Sequence, residues 1–403
     1  YRDDVYYVLD KLPKNENIDP VLYTTLQELN NSSGTIGLQN GIYKTTLKTK
    51  FVKAFATSLS ITEGFSATTK WQKGELSNFY YLMTINTLAG RTFNDITQYP
   101  VFPWVIADYT SEELDLDDPL TFRDLSKPMG AQSERRRAQF IERYEALESL
   151  GDPDSPPFHY GTHYSSAMIV SSYLIRLKPY VDSLLLLQDG KFGHADRLFN
   201  SIGRAWSSAA IENTTDVREL TPEFFFLPEF LVNLNNFDLG KDQQGNRVSD
   251  VTLPPWAKND PKIFIAKNRE ALESPYVSSQ LHLWIDLIFG SKQRGENALA
   301  AINVFNNLSY PGAVYLDSIS DENERRAVTG IIHNFGQTPL QIFQDDHPTR
   351  IVTKIKHINE NIWQQLRQRP SHIYQPQKRD THDIAVRYIF WEVYPDGTVC
   401  WKA

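Results

Sequence analysis

Apolar positions along this chain alternate between stretches of clear helical period and stretches with no period at all. Ser133 to Leu150 opens on Ser-Glu and ends at Gly151-Asp152-Pro153, the capping and stop chemistry of one long helix. Ser77 caps a second helix through Leu88, with Gly90 as its breaker. Leu281, Trp284, Ile285 and Ile288 form a stripe closed by Gly290. The box Asp321-Glu322-Asn323-Glu324 leads into Val328, Ile331, Ile332 and Phe335 before Gly336. Near the start, Val5, Val8, Leu9 and Leu12 stop at Pro13, and Asp19-Pro20 caps a helix carrying Leu22, Leu26 and Leu29. After 347, Ile351, Ile355, Ile358, Ile362 and Leu366 predict a helix ended by Pro370, and alternation around Pro395-Asp396-Gly397 predicts a hairpin.

Residues 92–132, 151–164, 212–262 and 308–319 carry neither period, yet they hold many of the prolines and aromatics. Ordinary loops are shorter and polar. These stretches are therefore expected to be buried and extended, with backbone groups satisfied by interior Asn, Gln, Ser, His and Arg side chains. Tyr99-Pro-Val-Phe-Pro-Trp104 is the densest case. Pro100 and Pro103 remove two backbone donors, so the hexapeptide is neither helix interior nor paired central strand.

Composition changes this picture little. A chain of 403 residues with 41% hydrophobic content supports a sizeable core and more than one structural unit. A formal charge of −8 excludes nucleic acid as the main partner, which would require a dense basic face. The single cysteine, Cys400, permits no intrachain disulfide and suits a reducing cytosol. No apolar run is long enough to span a bilayer. The start at Tyr1 and the stop after a strand-like segment are read as the ends of a piece of something longer.

Candidate chemistry is sparse. Nucleophile elbow, P-loop and dinucleotide fingerprint are all absent from the sequence. His159 and His163 have metal-ligand spacing, but Gly161 and the upstream Pro156-Pro157 work against a shared helical face, and no third ligand is identifiable. They are read either as zinc ligands of a hydrolase or as histidines bonded to irregular backbone. His282 and Asp286, one helical turn apart, are an acid–base pair or the rim of a core helix. Asp115, Asp117 and Asp118 make an acidic turn without the glycine and closing glutamate of a calcium loop. Glu75, Asn78, Arg91 and Asp95 either line a polar groove for a partner or brace loop backbone, the second reading being favoured for most of them. Lys44, Lys48, Lys50 and Lys53 interleave with Leu47, Phe51 and Phe55; they are a lipid-contact candidate or one face of a solvated linker.

Trp71 to Phe79, Ala89-Gly90-Arg91-Thr92, Tyr99 to Trp104 and Ala107-Asp108-Tyr109 resemble the opening block of the BEACH domain, the beige/Chediak–Higashi family. The match continues in order through Leu125–Gly130, His159–Ser165, Asp196–Phe199, Asp216–Phe225, Leu253–Ala257, Leu281–Gly290 with Lys292–Gly295, and Phe335–Pro339. The resemblance covers roughly 65–346. It implies a mainly α fold, a helical shell around extended core segments lacking regular secondary structure. Trp71, Tyr99, Pro103, Trp104 and Trp284 then belong to the structural core.

The resemblance also implies an arrangement of parts. Residues 1–12 look like the closing helix of a preceding PH-like domain that packs on the BEACH domain. A linker with a short helix over 13–64 follows, then the BEACH domain over 65–346, a helix and linker over 347–383, and the start of a WD40-like β region over 384–403. The implied role is a cytosolic scaffold in vesicle trafficking and lysosome- or vacuole-related sorting. It would act through proteins, among them a trafficking small GTPase, with peripheral membrane contact and no cofactor or catalytic residue to carry over.

Overall fold

The computed structural model describes residues 67–152, 155–187, 192, 195–314, 319–351, 390–393 and 399–402. It divides into a unit ending at Ile351 and a second unit beginning at Val352. Lys44, Lys48, Lys50 and Lys53, the two helices expected before residue 30 and most of the helix expected after 347 lie outside the described residues.

The first unit is mainly helical. Among the described residues its α-helices are α1 (Ala67–Gln72), α2 (Asn78–Leu88), α3 (Glu134–Leu150), α4 (Ala167–Tyr173), α5 (Tyr180–Leu187), α6 (Ile202–Ser207), α7 (Pro261–Glu273), α8 (Pro275–Ile288), α9 (Gly295–Ala300) and α10 (Glu322–Phe335). The expected caps are in place. Ser77 Oγ accepts from Tyr80 N, Ser133 Oγ from Arg136 N, and the Asp321 carboxylate from Asn323 N and Glu324 N. Gly151 ends α3 in the left-handed conformation, φ 62°.

The structure supplies the start of one helix that the sequence pattern marks only by its stripe. The stripe at 281–288 belongs to a helix that begins at Pro275, with Ser274 as its cap and proline in its first turn. Ser274 also terminates α7, so the two helices meet at a single residue. The segment after 346 differs from expectation, since His347 to Ile351 are not helical.

Between the helices the chain is extended and buried. Isolated bridges join Phe102 to Leu220, Ile106 to Phe122 and Tyr160 to Phe305. Tyr99, Phe102 and Trp104 have no exposed surface, and Pro100 and Pro103 are buried beside them. The hexapeptide is thus an interior strut. Asn86 on α2 supplies what the prolines cannot: its Oδ1 accepts from Val101 N at 2.8 Å and its Nδ2 donates to Val101 O at 2.9 Å. One apolar cluster runs from Trp71 to Phe305, and a smaller one gathers Ile175, Val181, Leu184, Leu198, Leu239 and Val248. In the second unit β1 (Phe390–Val393) and β2 (Val399–Lys402) pair antiparallel, with Trp391 opposite Trp401, the hairpin expected around Pro395-Asp396-Gly397.

Candidate functional site

The polar residues singled out by sequence go mainly to the interior. Asn78, the first residue of α2, is fully buried. Its Oδ1 accepts from Trp71 Nε1 at 2.7 Å and from Arg350, while its Nδ2 donates to Leu272 O and Ser278 Oγ. One amide therefore ties together α1, α2, the α7–α8 junction and the chain near 350. The Glu273 carboxylate caps the same helix end, accepting from Asn78 N at 2.8 Å and Phe79 N at 3.0 Å, where the positive end of the helix dipole favours an anion.

Arg91 is buried and donates to Tyr99 O, Ser165 Oγ and Gln337 O. Burial lowers its pKa to about 10. Glu75 and Asp95 are exposed, and Asp95 accepts from Thr97 N as the cap of a short turn. The four residues therefore do not line one groove: two are interior braces and two are surface residues.

The centre of the core holds an ion pair that the sequence reading did not single out. Arg123 Nη1 donates to Glu219 Oε2 at 2.7 Å, both side chains being essentially inaccessible. Trp104 N donates to that same oxygen, and Trp284 Nε1 donates to Glu219 Oε1 at 3.0 Å. Two of the tryptophans expected in the core are thus held by one carboxylate. Tyr99 Oη donates to Glu223 Oε1 at 2.6 Å and meets Tyr180 Oη at 2.8 Å; burial raises the pKa of both Tyr99 and Glu223.

The histidines do not converge. His159 Nδ1 accepts from Val304 N and its ring stacks on Tyr144. His163 turns Nδ1 to the backbone of Ser165 and packs on Tyr164 and Phe305. Burial holds His159 near pKa 4 and His163 well below the ordinary imidazole value. Among the described residues no three His, Cys, Asp or Glu side chains gather where they could hold a metal ion. Asp286 is bonded to backbone: its Oδ1 accepts from His347 N at 2.8 Å, and burial raises its pKa to about 6. The acidic turn is internally bonded, Asp115 accepting from Asp117 N and Asp118 from Leu120 N.

What remains for recognition is the surface. Tyr80 and Phe226 are 55% and 45% exposed, and both edge onto Phe79. The Arg269 guanidinium lies 3.9 Å from the centroid of the Phe79 ring and 5.9 Å from that of Tyr80. Aromatic residues with a stacked arginine have the composition of a protein-binding hot spot. The sequence reading missed this patch because Tyr80, Phe226 and Arg269 come from three distant segments. The only local signal was an aromatic on the outward position of α2. Among the described residues no helix is long and apolar enough to cross a membrane.

The Beige/BEACH domain family model matches residues 69–350. Beige protein homolog 1 of Saccharomyces cerevisiae is 65% identical over 369 residues, covering 92% of this chain and 17% of the relative. Beige protein homolog 1 of Schizosaccharomyces pombe is 59% identical, covering 79% of this chain and 12% of the relative. WD repeat- and FYVE domain-containing protein 4 of Mus musculus is 55% identical, covering 70% and 9%. The chain therefore spans less than a fifth of each of these relatives. Its motifs, its helical shell around buried extended struts and these identities agree: the chain belongs to the BEACH-domain family.

Proposed function

We propose that this chain is the BEACH region of a larger, non-enzymatic scaffold in vesicle trafficking and lysosome- or vacuole-related sorting. It works through protein partners at the cytoplasmic side of endomembranes. The observation that carries this reading is the division of labour between interior and surface. The polar groups Asn78, Arg91 and Glu219 of the matching motifs, and Arg123 as the partner of Glu219, are spent on core bracing, while Tyr80 and Phe226 are exposed and Arg269 is half-buried beside them. Exposed Glu75 and Asp95 belong to the partner surface, and Asn78 and Arg91 position the segments beside it.

Residues 1–12 close a PH-like domain that packs on this unit, and 384–403 begin a WD40-like region. A name carrying WD repeats among the relatives supports the second assignment. The partner is a trafficking small GTPase, bound in its GTP state. The test is affinity capture from cytosol loaded with GDP or a non-hydrolysable GTP analogue, using the chain extended through the PH-like domain as bait. A GTPase retained only with the GTP analogue, and lost on combined Tyr80→Ala, Phe226→Ala and Arg269→Ala substitution without a change in melting, is the expected result. Equal capture in both nucleotide states overturns the GTPase assignment, and retention by the substituted bait overturns the surface.

A further inference from the structure

A second surface feature lies beside the aromatic patch and is not explained by it. The loop 110–118 and the α7–α8 junction border a groove of about 470 Å³, within the ~300–1,000 Å³ typical of ligand-binding clefts. Leu114, Leu116 and Pro275 give it an apolar lining. The two leucines pack on the core yet stay only half-buried, so part of each is open to an incoming side chain.

The surroundings are acidic. The segment 110–118 carries Glu112, Glu113, Asp115, Asp117 and Asp118 and neither lysine nor arginine. All of these carboxylate residues are exposed. On the α7 side Lys267 pairs with Glu270 at 2.9 Å and Arg269 with Glu273 at 3.5 Å, so the charges there cancel. The net charge around the groove is therefore that of the loop, strongly negative.

Charge selects the occupant. Nucleic acid and anionic lipid surfaces are repelled by such a rim. A bare metal ion finds no cage, since among the described residues no three ligating side chains gather to hold one. A peptide in which lysine or arginine alternates with apolar residues meets both features at once. Held extended, it presents its apolar side chains on one face, which can rest on Leu114 and Leu116. Its long cationic side chains reach round to the rim carboxylates.

We propose that the groove between the 110–118 loop and the α7–α8 junction is a docking site for a basic segment of a partner protein, bound extended with apolar residues alternating between its cations. Leu114, Leu116 and Pro275 receive the apolar side chains, and Glu112, Glu113 and Asp117 receive the cations. The site is separate from Tyr80 and Phe226 and does not depend on what binds them. The charge of the loop acts at a distance, so it speeds encounter, and the contact weakens as salt is raised.

The test uses the whole chain and a fluorescein-labelled peptide, Lys-Leu-Lys-Leu-Lys-Leu-Lys, read by anisotropy. Saturable binding is expected. Combined Glu112→Lys, Glu113→Lys and Asp117→Lys substitution should weaken it about tenfold, each exposed pair being worth less than a decade. Asp115 and Asp118 are kept, since they accept from Asp117 N and Leu120 N. A peptide with serine for leucine should bind the native chain at least about tenfold more weakly, for want of apolar burial. A peptide with glutamate for lysine should prefer the substituted chain. Bound peptide should slow hydrogen exchange of the 112–117 amides and leave that of α3 unchanged. No saturable binding, or equal binding to the native and substituted chains, overturns the proposal. Serine peptide bound as tightly as the leucine peptide overturns it too, reducing the loop to a general attraction for cations. So does loss of binding on combined Tyr80→Ala and Phe226→Ala substitution, which would place the peptide on the aromatic patch instead.

Discussion

Glu219 shows how this fold uses charge. Its two oxygens accept from Arg123, Trp104 N and Trp284 Nε1 in a place where neither ionic side chain reaches solvent. A buried pair of this kind is costly to break, because the survivor keeps its charge without its partner. Glu219→Gln should therefore destabilise the first unit by about 3–5 kcal/mol in urea unfolding. Glu322→Gln, which removes the exposed partner of Arg326, should cost no more than about 1 kcal/mol. Equal losses would mean that Glu219 is not the hub described. A second residue-scale consequence concerns pH. His159 and His347 are held near pKa 4 by burial and His163 well below its ordinary value. The folded state thus binds fewer protons than the unfolded chain between about pH 6.5 and 4, and stability falls on acidification through that window. Asp286, raised to about 6 by burial, acts in the opposite sense: its folded form takes up a proton first, so it stabilises as pH falls from 6 toward 4. Asp286→Asn should therefore steepen the acid-side loss of melting temperature. A slope unchanged from the native protein would contradict the assigned direction. None of these roles was legible in the sequence, where His282 and Asp286 present themselves as a pair one turn apart. The actual partner of Asp286 is a backbone N–H of His347, and no local spacing encodes a partner so far along the chain.

At the scale of elements, the helix ends were legible and the helix contents less so. Ser77, Ser133 and Asp321 cap as their residue types require, since a short polar side chain satisfies the free N–H groups of the first turn. The irregular stretch expected over 212–262 ends just inside α7, where Asp260 caps the helix and Pro261 opens it. The stripe at 281–288 marks only the second half of α8, and the helix start escapes it because Ser274 serves as the end of one helix and the cap of the next. Gly336 is where an element end becomes a tertiary constraint. Its φ is +82°, and a Cβ there would sit 1.9 Å from Ser165 O. The adjoining carbonyl, Phe335 O, accepts from His163 N at 3.1 Å, so α10 is fastened to the 163–166 segment through a contact that only glycine permits. Gly336→Ala should cost about 2–4 kcal/mol, joining backbone strain to a steric clash. Hydrogen exchange should accelerate first in α10. Gly151→Ala, at φ +62° with nothing within 4 Å, carries only the left-handed penalty of about 1 kcal/mol. A Gly336→Ala protein as stable as Gly151→Ala would show that α10 is not anchored there.

For the whole molecule, the extended hexapeptide at 99–104 states the governing rule. Prolines and aromatics make an apolar rod that cannot hydrogen-bond itself, so side chains from remote segments complete it. Asn86 does so on one side, and Glu219, at 104, on the other. That rule extends to the chain near 350, which the sequence assigns to a helix beyond a boundary at 346. There the His347 ring is buried against Trp71, Tyr81 and Phe343. Its Nδ1 faces Pro348 O, which can only accept, so Nδ1 carries the proton and Nε2 accepts from Tyr81 Oη. Arg350 donates to Asn78 Oδ1 and Leu76 O, and Ile351 N to Gln72 O. The last residues of the first unit thus tie down α1 and α2. A protein ended after Asp346 loses a buried ring and the partners of Asn78, Asp286 and Tyr81 together, a deficit of about 3–5 kcal/mol by the cost of large-to-small core changes. For a unit of this size that is a fall of roughly 6–20 °C in melting temperature. A protein ended after Ile351 keeps every one of these contacts and should melt with the full chain's first unit. If the two shortened proteins melt together, the closure at 347–351 contributes nothing, and the boundary at 346 read from sequence is the correct one.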